Sequence, residues 1–121
     1  MNTLQINNIL KKELGHVFKG VYALDQIARL NPRVPAAYVF NTKPSTSPGE
    51  HWVAAYIMSN RKAVYFDSLG FQPRHTQIIA FLKKNMQRNG LSQEKQFKIR
   101  SQPCVVNIVL HFYLVFITTN K

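Results

Sequence analysis

Apolar residues recur at helical spacing near the start of the chain. Leu4, Ile9, Leu10 and Leu14 lie roughly on one face of a helix that Thr3 can cap and Gly15 can stop. A second, shorter helix begins at the cap Asp25 and runs through QIARL toward Pro32, whose fixed ring ends it. The period then changes. AYVFNT, HWVAAYIMS and KAVYFDS are short apolar runs rich in β-branched and aromatic residues, the pattern of buried strands. The last two flank the turn residues Ser59, Asn60 and Arg61, which predicts a tight antiparallel hairpin. KPSTSPGE, residues 43–50, reads as a surface loop leading directly into His51. After SLGFQP, the stretch from Arg74 to Gln87 carries Ile78, Ile79, Phe81 and Leu82, then Lys83 and Lys84, with Gly90 beyond. That is an amphipathic helix with cations at its C-terminal end. The sum is an α+β fold with a small mixed or antiparallel sheet and flanking helices.

Length and composition narrow this further. With 121 residues, 45% of them apolar, the chain can bury one core and is too short for two comfortable domains, so residues 1–121 are expected to form a single domain. It has no internal repeat or low-complexity tract, and no apolar run long enough to span a bilayer. MNTLQINNILKK lacks the features of a signal peptide, so a soluble, intracellular protein is expected. The single cysteine, Cys104, excludes an internal disulfide, and no Cys/His spacing implies a metal or another cofactor. Sixteen Lys and Arg against five acids give a net charge of +11, which makes nucleic acid a plausible partner through counterion release. The basic residues are scattered without an aromatic-interleaved motif, so simple solvation of the lysines explains them equally well.

The chemistry concentrates between Pro48 and Gly70. If the two hairpin strands pair antiparallel, His51 at the start of one and Asp67 at the end of the next share one edge of the sheet. A carboxylate in that place fixes the imidazole tautomer and stabilises the imidazolium, so the histidine can take a proton from a thiol or hydroxyl. A structural strand-end histidine beside Trp52, with Asp67 capping the following turn, fits the same residues. His16, His75 and His111 have no acidic or thiol partner nearby in sequence and read as structural or surface residues.

The succession FKGVYALDQI, AYVFNT, PGEHWVAAYI and YFDSLGFQP resembles the adenovirus-type (adenain-like) cysteine endopeptidases, especially those carried by Polinton or Maverick transposons and related viruses. The resemblance covers Met1 to about Leu82, two thirds of the chain. It implies a cysteine-peptidase fold shared with the ubiquitin-like-protein peptidases, a polypeptide substrate, His51 as general base and Asp67 as the residue that orients it. It also implies a nuclear or virion-associated setting and DNA as an activator. The ubiquitin-like-protein peptidases share the His, Asp, Gln, Cys order, but GEHW followed closely by YFDS favours the adenovirus side. A noncatalytic basic module that uses the old protease surface on nucleic acid is a further alternative.

In the family a glutamine precedes the nucleophilic cysteine by seven residues, and the cysteine opens a helix with a motif like CGQYC, followed shortly by FL. The helix N-terminus would favour the thiolate, and the glutamine would help form the oxyanion hole. This chain departs from that pattern. Cys104 is followed by Val105 and Val106, and Phe97 or Lys98 stands where the glutamine belongs, so Cys104 fits a buried small hydrophobe better than a nucleophile.

The genetic code supplies a reason. Reread from the third base of each codon, Pro103 to Val109 admit NTG, YGT, NGT, NAA, YAT and HGT, which can encode Val, Cys, Gly, Gln, Tyr and Cys in order. The His111/Phe112 and Phe112/Tyr113 overlaps admit Phe and Leu, and the Phe97/Lys98 overlap admits Gln, seven positions before the recovered Cys. Each overlap fixes two bases of three, so a given residue is admitted in a minority of cases, and joint agreement across the motif is unexpected by chance. The expectation is a small insertion or deletion between Asn85 and Gln96 that throws the remainder out of the protease frame, leaving a catalytically impaired chain. The run from Val105 to Thr118 would then be unselected for this fold, and its β-branched residues invite strand pairing.

Overall fold

The computed structural model describes residues 3–42, 51–67 and 69–93. Helix α1 (Thr3–Leu14) leads through a single 3-10 turn into strand β1 (Phe18–Ala23). A 3-10 helix (Leu24–Arg29) follows, then β2 (Ala36–Asn41), β3 (Trp52–Ile57), β4 (Ala63–Asp67), α2 (Thr76–Asn85) and β5 (Leu91–Gln93). The strands form one mixed sheet in the order β1-β2-β3-β4-β5. The central pairs β2/β3 and β3/β4 are antiparallel, and the outer pairs β1/β2 and β4/β5 are parallel. The expected α+β class and the hairpin are therefore present. The loop at 43–50, Cys104 and the tail at Val105–Thr118 lie outside the described residues.

The three central strands read as continuous apolar runs because both of their faces are covered. One face sets Ala37, Val39, Trp52, Ala54, Tyr56, Val64 and Phe66 in a cluster with Ile6, Leu10 and Leu14 of α1. The other sets Tyr38, Phe40, Val53, Ala55, Ile57 and Tyr65 against Ile78, Phe81 and Leu82 of α2 and Ile27 of the 3-10 helix. Tyr38 and Phe40 stack with centroids 5.5 Å apart, and Phe81 meets them edge-on at 5.2 and 5.4 Å. Burial, with Tyr22 adding to it, pushes the Tyr38 phenol up to about 12.

Five elements differ from the expectation. The core stripe of α1 is Ile6, Leu10 and Leu14, a strict i, i+4 row. Leu4 lies off that row and is 66% exposed, and Ile9 is half-buried. The second helix is a 3-10 helix that starts at Leu24 instead of being capped by Asp25, and Gln26 closes its start by accepting the Ala23 N–H at 2.9 Å. β1 escapes the pattern because Gly20, at φ +135°, sits at a register shift that breaks the alternation. β5 is only three residues long, too short to show a period, and it joins the sheet through Gly90. The Gly90 carbonyl accepts from Ala63 N–H at 2.8 Å, and a Cβ on Gly90 would lie 2.9 Å from the Gln87 carbonyl. α2 is also shorter than the Arg74–Gln87 stretch, ending where buried Asn85 donates to the Phe81 carbonyl at 2.8 Å.

Phe40→Ala removes a fully buried ring that packs on Tyr38 and Phe81. The expected loss is about 3–5 kcal/mol in a urea or guanidinium unfolding titration, against under about 0.5 kcal/mol for Leu4→Ala on the exposed side of α1.

Candidate active site

The ladder between β2 and β3 carries the chain to the site. Asn41 pairs with Trp52, and one step further Thr42 donates both its N–H (2.9 Å) and its Oγ1 hydroxyl (3.1 Å) to the His51 carbonyl. His51 is thereby held as an extension of β3, which fixes where its side chain leaves the backbone. Across the hairpin, Val53 pairs with Asp67. Residues 51, 53 and 67 then share the sheet face that packs on α2, while Trp52 turns to the α1 face.

His51 Nε2 lies 2.8 Å from Asp67 Oδ1. The carboxylate side chain is 4% exposed and the imidazole 19%, so the pair is sheltered on the acid side and accessible on the ring side. Oδ1 also accepts the Leu69 N–H at 2.9 Å, and the Asp67 carbonyl accepts the Gly70 N–H at 2.8 Å. Asp67 thus serves two functions with one side chain: it closes the turn after β4 and it receives the Nε2 proton of His51. That proton position leaves Nδ1 as the ring nitrogen with a lone pair, the one that can accept a proton from a nucleophile. Beneath the pair, burial raises the Tyr65 phenol far above its ordinary range; the Asp67 charge adds to this and Arg74 opposes it.

The structure brings together His51 and Asp67, the two residues singled out by their spacing, whereas Cys104 lies outside the described residues. One contributor was missed. Thr42 was visible only as the end of AYVFNT, and its place opposite His51 follows from the β2/β3 register, in which Asn41 pairs with Trp52. His75, expected to be structural or surface, is half-buried, and burial lowers its pKa from 6.5, with Arg74 and His51 adding to this and Asp67 opposing it. Among the described residues there is no group of three His, Cys, Asp or Glu that could hold a metal ion, and no helix is long and apolar enough to cross a membrane.

With this geometry in view, the similarity to known proteins takes on meaning. The chain is 31% identical over 93 residues to the protease of fowl adenovirus A serotype 1 (strain CELO / Phelps). The match takes in 74% of this chain and 45% of the relative, so the chain spans about half the length of the protein it resembles. No protein-family model matches it. The similarity supports an adenovirus-type protease relationship.

Asp67→Ala leaves the Leu69 N–H and His51 without their shared acceptor. The expected result is a stability loss of about 2–3 kcal/mol and faster amide exchange at Leu69 and Gly70. Unchanged exchange at Leu69 would show that the carboxylate does not organise this turn.

Proposed function

We propose that this chain is the base-and-carboxylate portion of a cysteine endopeptidase of the adenovirus type, from a Polinton-like element or a related virus, that processes polypeptides. The observation that carries the reading is the 2.8 Å bond between His51 Nε2 and Asp67 Oδ1 at the sheet end. In the proposed reaction His51 takes the thiol proton at Nδ1, and the resulting imidazolium is stabilised through Nε2–H by Asp67. The thiolate then attacks the peptide carbonyl, the tetrahedral intermediate collapses, and His51 returns the proton to the leaving amine. Water, deprotonated by the same imidazole, releases the acyl group from sulfur.

The nucleophile is the missing part. The codons that the amino-acid sequence permits allow a reading in which a one-base insertion between Asn85 and Gln96 restores Cys, Gly, Gln, Tyr and Cys at the overlaps from Cys104 to Val109, with Gln at the Phe97/Lys98 overlap. In this reading the thiol belongs to the restored frame, and Cys104 of the present chain is a neighbour in sequence rather than the nucleophile. The present chain is then catalytically impaired.

Expression of the restored-frame chain tests the reading. It is expected to react with a cysteine-directed peptide electrophile and to cleave a protein substrate, with a loss of about 10²–10⁴-fold on His51→Ala. The present chain is expected to label at the slow rate of an unactivated thiol, whether or not His51 is intact. Labelling of Cys104 that depends on His51 would instead make Cys104 the nucleophile and remove the need for a second frame.

A further inference from the structure

Asn89 is the only asparagine in the sequence that a glycine follows. An asparagine–glycine pair is chemically labile, because glycine has no side chain to screen its backbone nitrogen from the neighbouring amide carbon. The fold explains why both residues stand there. Asn89 has φ +58°, in the left-handed region that asparagine tolerates better than most residues. At Gly90 a Cβ would lie 2.9 Å from the Gln87 carbonyl and 3.2 Å from that of Arg61, so glycine is the residue that fits. The turn from α2 into β5 thus places an exposed amide side chain directly before a buried, unscreened backbone nitrogen.

That nitrogen is engaged in the closed turn. Gly90 N–H donates to the Gln87 carbonyl at 3.0 Å, and the Gly90 carbonyl accepts from Ala63 N–H at 2.8 Å. Gln87 N–H donates in turn to the Arg61 carbonyl at 2.8 Å, and the Arg61 guanidinium donates to the Asn85 carbonyl at 3.2 Å. Attack on the side chain needs the Gly90 nitrogen to give up its proton and swing toward the Asn89 amide carbon. Both moves break the hydrogen bond to Gln87. Directly after Gly90 comes β5, whose Leu91, Ser92 and Gln93 pair with Ala63, Val64 and Tyr65 of β4.

We propose that Asn89 is a deamidation site that the fold keeps latent: it reacts when the Gln87–Gly90 turn opens, and the product releases β5 from β4. In the open turn the Gly90 nitrogen bonds to the Asn89 side-chain amide carbon, the carbon–nitrogen bond of the side chain breaks, and ammonia leaves with the backbone proton. Water then opens the succinimide ring at either carbonyl. One product is an ordinary aspartyl residue, and the other routes the main chain through the side-chain carbon and lengthens it by one methylene. The longer path carries Gly90 away from the spacing at which its N–H meets Gln87 and its carbonyl meets Ala63. An unpaired strand edge on β4 is the consequence. The inference stands apart from the protease reading, since it involves no residue of the dyad.

The test follows the full chain during incubation in mildly alkaline buffer, with peptide mapping by mass spectrometry and amide hydrogen exchange read on the same samples. In denaturant, position 89 should convert ahead of every other asparagine. In the folded chain it should convert at least about tenfold more slowly, by the factor that protects the Gly90 amide from exchange. Arg61→Asn keeps a residue that tolerates the positive φ and removes the guanidinium from the Asn85 carbonyl. It should speed exchange at Gly90 and conversion at position 89 by the same factor. Should that variant fail to fold, low urea on the wild-type chain supplies the same opening. The isoaspartyl fraction should lose protection at the Ala63 amide, and Asn89→Gly, with no side-chain amide to lose, should keep it throughout. Equal conversion in the folded and denatured chain would overturn the proposal. So would faster exchange at Gly90 with no faster conversion, or an isoaspartyl chain that still protects Ala63.

Discussion

Val53 faces Asp67 across the β3–β4 ladder, and this register is the constraint on which the site depends. Side chains alternate along a strand, so a slip by one residue would carry Asp67 to the α1 face and separate it from His51. Burial on both faces forbids the slip. Tyr65 and Val53 on one face, and Phe66 and Ala54 on the other, are each almost fully enclosed, and a shift would exchange their two environments. The core that stabilises the sheet is therefore also what holds an imidazole 2.8 Å from a carboxylate.

The anchoring is layered. Thr42 fixes the backbone of His51 through two hydrogen bonds, and the Leu69 and Gly70 amides fix Asp67 through two more. No single one of these is worth more than about 1–2 kcal/mol net. Together they keep two side chains in register at the end of a sheet, where fraying is otherwise expected. The shelter is unequal, with the carboxylate covered and the imidazole partly open.

Much of this was legible in the residues, for physical reasons. AYVFN, WVAAYI and AVYFD are each buried on both faces, so their apolar runs needed no partner to be recognised, and the turn between the last two sets the pairing that unites His51 with Asp67. The amphipathic α2 was legible from its Ile78, Phe81 and Leu82 stripe. What escaped depended on tertiary context. β1 carries a glycine at positive φ and a register shift, β5 exists only because β4 offers it an edge, and Leu4 was assigned to a face that Ile6 in fact occupies.

The account joins a dyad, a similarity to an adenovirus protease that spans about half of that relative, and the proposal that the nucleophile is encoded in another frame. The most direct measurement is the nucleotide sequence of the gene and its transcript across the codons from Lys83 to Lys121. The account predicts that one added base between Asn85 and Gln96 opens a continuous frame reading Cys, Gly, Gln, Tyr, Cys, with Gln seven residues before the first Cys. Codons at the Cys104 to Val109 overlaps that spell other residues, or a stop codon in that frame, would contradict it.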